Sequence, residues 1–437
     1  MRLPRLAAQS IVLFAARIAG AGCAFATQVL LVRLLGAPTF ADYVLVLAGI
    51  NIGAAVMPLG FHFTANYFAA RYYATNSAAA LSAYLRQAFL HIAVGILVTA
   101  VGAVALWSLV PASIKPLVPP AIIFAVAVAV IYLTSGVLIG LKRPIAGMTA
   151  DILLRPVFTL TTFAIFCFTV APDDVLMFGL WVLAGLLTLI GAGQLVLVAR
   201  ALRGMNGKDG GDGETLRSLR WTWWRYALPS TIVVLATDFF FDIDLIVVSP
   251  FMNQHEIAIF GVCARICSLL AFGIGTIYTI SLPNILDAGM RRDTHRVERE
   301  LGNANVYACL MAAALSLVMF FSGPLLALIF GKDFASAGLP LGVLTLGLAA
   351  RAALGPSPLV LSIYERPAAS VPASIVSIAA LAIMNYLLVP HFGLIGAAAA
   401  TSLAIAMWSF ALWLTARHDL ALDVSIYPRL RRLLTRS

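Results

Sequence analysis

The sequence predicts an all-α integral membrane protein, with twelve transmembrane helices arranged as two six-helix lobes. Three observations predict it. Of 437 residues, 62% are hydrophobic and only 11% are charged, with a mean hydropathy of +0.97. Soluble domains are about half apolar and about a quarter charged, so lipid is the solvent this chain is built for. Apolar runs of about twenty residues, enough to cross a bilayer, recur along the whole length. Finally, the basic residues segregate to alternate connections between those runs.

Breaks at charge clusters, proline and glycine delimit the spans at 10–35, 41–68, 87–110, 118–141, 146–170, 175–199, 226–250, 257–283, 304–330, 337–362, 368–390 and 393–416. Arg2 and Arg5 precede the first run as in a signal peptide, but 10–35 is too long for an h-region and reads as a retained helix. The runs lack the period-two alternation of barrel strands. Backbone groups in lipid must bond within their own segment, so helices are required. The stretch Arg203 to Arg220 stands apart, carrying Gly207-Lys208-Asp209-Gly210-Gly211-Asp212-Gly213. Glycine and charge make it a flexible linker. The expected division is a first lobe at 1–202, a linker at 203–225, a second lobe at 226–418 and a basic tail at 419–437. Spacing supports an internal repeat: Phe40-Ala41-Asp42-Tyr43, opening span two, lies 217 residues before Ile257-Ala258-Ile259-Phe260, opening span eight.

Charge fixes the expected orientation. Of the 29 lysines and arginines, Arg17, Arg33, Arg155, Arg265 and Arg351 fall inside spans, and only Lys115 and Lys332 fall on one face. All the others lie on the opposite face, which the positive-inside rule makes cytoplasmic, together with both termini. The net charge of +10 is therefore a topology device, and no nucleic-acid partner is expected. Cys23, Cys167, Cys263, Cys267 and Cys309 all sit in apolar segments, scattered as no disulfide or zinc framework is. They read as small packing residues, and no metal is expected. No Gly-x-x-x-x-Gly-Lys-[Ser/Thr] occurs, so the chain encodes no P-loop ATPase.

Several motifs then carry a resemblance. They are Leu31-Val32-Arg33-Leu34-Leu35-Gly36-Ala37, Phe40-Ala41-Asp42-Tyr43, Asp242-Ile243-Asp244-Leu245 and Glu256-Ile257-Ala258-Ile259-Phe260 with Ala264-Arg265-Ile266. Further on come Ile329-Phe330-Gly331-Lys332-Asp333-Phe334, Asn385-Tyr386-Leu387-Leu388-Val389-Pro390 and Gly393-Leu394-Ile395-Gly396 through Thr401. In this order, nearly end to end, the chain resembles the Wzx-type polysaccharide or O-antigen flippases of the MOP (MATE-like) superfamily. Ala41 departs from the glycine expected there. The resemblance implies a V-shaped twelve-helix bundle that moves undecaprenyl-diphosphate-linked oligosaccharide across a bacterial inner membrane, by alternating access, for surface polysaccharide assembly. It also implies lipid-linked oligosaccharide and membrane lipids as partners, with a polysaccharide polymerase and a chain-length regulator beside them.

A lipid diphosphate calls for cations along its path, and arginine's planar fork bonds phosphate bidentately while staying charged. Arg17, Arg265 and Arg351 are the candidate substrate-binding residues; each has the competing reading of an ion pair that pins helices. Arg33, near a helix end, reads as snorkelling. Asp238, Asp242 and Asp244 in span seven are candidates for ion coupling or gating. Helical spacing puts Asp238 and Asp242 on one face and turns Asp244 away. Burial disfavours their charged form, so they suit a proton, Na⁺ or a counter-arginine such as Arg265. No cofactor is expected beyond possible coupling to H⁺ or Na⁺. Asp151 and Arg155 read as a local pair, and His62 and His91 as satisfied helix histidines. The run Phe239-Phe240-Phe241 can line a glycan path or merely pack. Pro229, Pro283, Pro324, Pro356 and Pro358 mark kinks, with Gly355-Pro356-Ser357-Pro358 the strongest and a hinge beside Arg351.

Two other functions compete. A cation-coupled multidrug exporter of the same fold needs an acidic, aromatic cavity rather than an arginine-bearing one. A membrane glycosyltransferase or polymerase would use Asp242-x-Asp244 with a metal, but that motif lies inside an apolar span and the outer loops are too short to build a pocket. The expectation is a non-enzymatic transporter.

Overall fold

The computed structural model describes residues 3–105, 107–108, 110–205, 216–290, 293–364 and 366–434. Among these there is no strand. Among the described residues, nine helices are long and apolar enough to cross a membrane, as a multi-pass protein requires. Two of the nine each contain two spans. α1 (Leu3–Val56) folds over at Gly36, with φ 82°, and α15 (Val371–Leu420) at Gly393, with φ 54°. Positive φ is cheap only for glycine, and Pro38 restarts the helix after the first of these bends. The apolar outer faces fit lipid. Along α3 (Ala78–Ala105), Leu90, Leu97, Val101 and Val104 form an exposed stripe, which no water-soluble surface tolerates at this length.

The chain divides into two compact units, Met1–Thr231 and Ile232–Ser437. In the first, span two is interrupted. Helix α1 ends at Val56, Met57 to Gly60 turn, and α2 (Phe61–Ala74) resumes. The break falls on Pro58-Leu59-Gly60, inside what the apolar pattern showed as one unbroken span. Span four, α4 (Val118–Gly140), is the central post, packed on α1, α2 and α7 (Val175–Arg203). Span five is α5 (Pro144–Thr149), a π-helical turn at Ala150–Leu154, and α6 (Arg155–Thr169). A π turn widens the helix by one residue and re-aims side chains.

The glycine-rich linker stretch 207–213 lies outside the described residues. Beyond it, residues 216–225 are the first turns of α8 (Leu216–Thr237). Trp223 there is fully buried and donates its indole N–H to the Tyr72 hydroxyl at 2.7 Å. Trp223 and Ala227 share a core with Phe61, Phe68, Leu81 and Tyr84. A tryptophan both buried and hydrogen-bonded is a strong anchor, so the start of span seven belongs to the first unit.

In the second unit, α8 stops at Thr237, Asp238 and Phe239 form a turn, and α9 (Phe240–Val248) continues. Then come α10 (Gln254–Met290) and α11 (Thr294–Phe320). Asn253 and Glu256 cap the start of α10 reciprocally, each side chain accepting the other's backbone N–H. Span nine therefore starts ten residues before its expected 304, its first turns being the charged run that hydropathy rejected. It also ends earlier, because Ser322-Gly323-Pro324 starts a separate helix, α12 (Gly323–Phe330). Span ten is α13 (Gly338–Leu354) and α14 (Ser357–Ile363), broken at Gly355-Pro356 as expected. α13 is the central post here, packed on α11 and α15. By contrast, Pro229 and Pro283 sit within continuous helices.

Candidate functional site

Span seven supplies three carboxylates to the second unit, and the turn at Asp238-Phe239 sends them to three places. The expectation that Asp238 and Asp242 share a helix face fails, because no continuous helix joins them. Asp238 is exposed on the turn and lines a cavity of about 470 Å³ with Tyr278, Arg351, Gly355, Pro356 and Trp408. A second cavity of about 280 Å³ shares Asp238, Arg351 and Trp408 and adds Phe240 and Phe241. The Arg351 guanidinium carbon lies 5.0 Å from the Trp408 ring centroid, a cation–π contact. The Tyr278 hydroxyl donates to the carbonyl of Ala352 at 3.3 Å, tying α10 to the last turn of α13. The Trp408 indole N–H donates to the Ser374 hydroxyl at 3.4 Å. Arg351 is thus oriented by an aromatic ring at the edge of a half-open space, one turn ahead of the span-ten break.

Asp242 meets α10 instead. It is buried and accepts from Arg265 Nη2 at 2.7 Å, the Arg265 side chain being 21% exposed. This is an ion pair between spans seven and eight, the pinning geometry weighed above for Arg265.

Asp244 is fully buried among neutral groups. Its carboxylate accepts from Asn385 Nδ2 at 2.8 Å and from the Thr401 hydroxyl, which also lies 2.8 Å from the carbonyl of Ala397. One hydroxyl proton cannot serve both acceptors at once. The Asn385 carbonyl oxygen is buried with no hydrogen-bond partner among the described residues. Spans seven, eleven and twelve therefore bring a carboxylate, an amide N–H donor, a hydroxyl and a backbone carbonyl together, with no basic side chain among the described residues joined to Asp244. Ionised and uncompensated, such a carboxylate costs several kcal/mol. The arrangement fits a proton carried by the carboxyl, and a hard cation there would need the Asn385 amide turned so that its oxygen faces Asp244. No cluster of three His, Cys, Asp or Glu able to hold a metal occurs among the described residues.

In the first unit, Arg17 is exposed on α1. Arg155 makes more than the expected local pair. Its Nη1 donates to Asp151 Oδ1 at 3.3 Å and to the Tyr132 hydroxyl at 3.2 Å, and its Nη2 donates to Asn51 Oδ1 at 2.5 Å. Its guanidinium lies 5.6 Å from the Phe124 ring centroid. The π turn ending at Leu154 aims it across to spans two and four. His62 stacks on Tyr132 with centroids 5.7 Å apart, and both its ring nitrogens are buried without a hydrogen-bond partner among the described residues, contrary to the satisfied histidine expected. His91 is as expected, bonded to Gln87 at 2.9 Å.

Sequence reading missed Tyr278, Trp408, Asn385 and Thr401 as parts of these sites. Asn385 was open to detection, being a lone carboxamide in an apolar span where polar groups carry a cost.

No protein-family model and no curated protein matches the chain. Solved structures do. An inward-facing multidrug resistance MATE family transporter of the MOP superfamily aligns with a TM-score of 0.68 at 15% identity, covering 94% of this chain and 98% of that one. The lipid II flippase MurJ, in an inward closed conformation, aligns with a TM-score of 0.72 at 13% identity, covering 93% and 87%. A MATE protein in a straight conformation gives 0.62 at 18% identity, covering 94% of each. Such identities speak for the fold alone: the chain shares the multi-helix membrane fold of these solved structures.

Proposed function

We propose that this protein is a non-enzymatic flippase that carries undecaprenyl-diphosphate-linked oligosaccharide from the inner to the outer leaflet of a bacterial inner membrane, by alternating access, with both termini cytoplasmic. The observation that carries this reading is Arg351, a guanidinium held against Trp408 at the edge of a cavity of about 470 Å³. A permanent cation beside aromatic walls suits a diphosphate attached to sugars. Arg17 and Arg265 are the further proposed cations on the path. Arg265 reaches phosphate by exchanging Asp242 for it. The resemblance of the sequence motifs to Wzx-type flippases supports the same substrate class, and a polymerase and chain-length regulator are the proposed downstream partners.

The driving force is proposed to enter at Asp244. Binding of H⁺ or Na⁺ there neutralises the carboxylate where spans seven, eleven and twelve meet, and its loss changes how those helices pack. Asp242 then acts as the gate, releasing Arg265 to substrate.

The test is a clean deletion in a strain with no paralogue, assayed for lipid-linked oligosaccharide held in the inner leaflet. Accumulation that the native chain relieves, and that an Arg351→Ala chain of equal abundance does not, is the expected result. Normal surface glycan in the deletion strain overturns the assignment. The second reading, a cation-coupled multidrug exporter, rests on Asp238, which offers the same cavity a carboxylate. Drug sensitivity of the deletion strain with unchanged glycan would favour it.

A further inference from the structure

Ala421, with φ 53°, ends α15, and the chain returns beneath span ten as a short strap. Asp423 builds its turn. The Asp423 carboxylate accepts from Ser425 N at 3.0 Å, Ser425 Oγ at 2.6 Å and Trp413 Nε1 at 2.8 Å. Burial alone would push the Asp423 carboxyl up, but these bonds and nearby Arg417 hold it below the ordinary aspartate value. The carbonyl of Val424 accepts from Asn305 Nδ2 of α11 at 2.7 Å, and Ile426 N donates to the carbonyl of Ala353 at 2.9 Å. Leu422 and Val424 are buried in the same core as Trp408 and Leu412. The seat of the strap is Gly355, with φ 82°, where a Cβ would lie 1.9 Å from the Val424 oxygen. The strap therefore closes on the break in span ten, whose Gly355 and Pro356 line the Arg351 cavity.

The strap leads directly into α16 (Tyr427–Leu434), Tyr-Pro-Arg-Leu-Arg-Arg-Leu-Leu. At helical spacing the sequence groups Tyr427, Leu430, Leu433 and Leu434 apart from Arg429, Arg431 and Arg432. Neither Asp nor Glu occurs from Val424 to Ser437. The aliphatic stem of Arg429 lies against Gly302 of α11, where a Cβ would be 3.0 Å from it, so α16 rests on α11. Arg431 is exposed. The helix begins just past the end of span twelve at Leu420, which sets it at a membrane surface.

We infer that α16 is an interfacial helix that binds anionic phospholipid headgroups, and that the strap transmits this anchorage to the Gly355 break. The occupant follows from charge and position. Arginines set apart from leucines at helical spacing, at the depth of a span end, match the boundary between headgroups and acyl chains. Each arginine near an anionic surface raises partitioning roughly fivefold, so three give on the order of a hundredfold. Anchored, α16 keeps Val424 on Gly355 and span ten fixed; released, it frees the break beneath the cavity. The inference does not depend on which substrate the protein carries.

The test uses the full chain in nanodiscs of phosphatidylcholine, alone or with added phosphatidylglycerol, followed by amide hydrogen exchange. With phosphatidylglycerol, exchange in 427–434 and in 351–358 slows by about tenfold or more, while α4 is unchanged. Arg429→Gln/Arg431→Gln/Arg432→Gln removes the lipid response at both places. Asp423→Ala leaves it at 427–434 and loses it at 351–358. The inference is overturned if the native chain exchanges equally in the two lipids, or if the triple variant keeps the response. It is also overturned if Asp423→Ala, retaining the native melting profile, leaves residues 351–358 lipid-sensitive.

Discussion

Replacing Asp242 by asparagine keeps an oxygen where Arg265 Nη2 now finds one at 2.7 Å and removes only the charge. Removing one partner of a buried pair outright costs about 3–5 kcal/mol. The retained acceptor and the 21% exposure of the arginine lower this to about 2 kcal/mol. For a unit of this size the apparent melting temperature falls by roughly 4–8 °C. Arg265→Gln in the same chain removes the stranded cation, so the double variant recovers stability to within about 0.5 kcal/mol of native. Transport then separates the two roles of Arg265. If the guanidinium meets diphosphate during the cycle, the double variant is stable yet flips lipid-linked oligosaccharide at least about tenfold more slowly, about 1.4 kcal/mol of lost interaction. The assay is thermal unfolding in nanodiscs paired with leaflet-resolved flipping in vesicles. A double variant that is stable and flips at the native rate refutes the substrate role and leaves Arg265 as a helix pin. An Asp242→Asn chain that melts with the native one refutes the pair's energetic weight.

Arg351→Lys is expected to fold normally yet lose most transport, since an ammonium cannot reproduce the fork or the planar stack on Trp408; substrate affinity against rate distinguishes this from misfolding. Asp244→Asn should leave the second unit at least as stable, because the buried carboxylate disappears, while transport loses its dependence on the proton or Na⁺ gradient in vesicles. Attachment of the strap by Asp423 is fully present above the ordinary aspartate pKa of about 4 and is lost as pH falls through its lower folded value. Exchange at Ile426, measured across that acidic range, should rise in the native chain and be high throughout for Asp423→Ala.

What the sequence showed and what it hid divide along the physics of the signal. Span existence depends only on a run of apolar residues: eleven of the twelve expected spans lie in helices long and apolar enough to cross a membrane, including the two pairs that Gly36 and Gly393 fold over, and span seven is broken at Asp238-Phe239. Span edges were less so. Residues 294–303 are helical but charged, so hydropathy placed the start of span nine ten residues late. The break at Pro58-Leu59-Gly60 stood in plain view as a proline and a glycine, yet its apolar flanks disguised it as continuous helix. Long-range pairings were beyond reach. Asp244 and Asn385 are 141 residues apart, and Asp244 and Thr401 are 157 apart. The motifs around them marked order along the chain without revealing that they converge. Arg155 was read through its nearest neighbour Asp151, whereas the π turn gives it Asn51 and Tyr132 from two other spans.

The turn at Asp238-Phe239 has the largest functional consequence of these differences. On an unbroken helix, Asp238 and Asp242 would stack on one face, and a pair of carboxylates so close would compete for one proton. Broken, the span assigns each acid a separate partner: Arg351 and open space for Asp238, Arg265 for Asp242, Asn385 and Thr401 for Asp244. The three sites lie along a single stretch of seven residues, so a movement of α9 that loosens one must move the others. Neutralising Asp244 where α9 meets α15 therefore bears mechanically on the Asp242–Arg265 clasp one half-turn away, through backbone alone. Under the proposed mechanism, ion occupancy and cation release would need no long relay, because both acids ride on the same nine-residue helix.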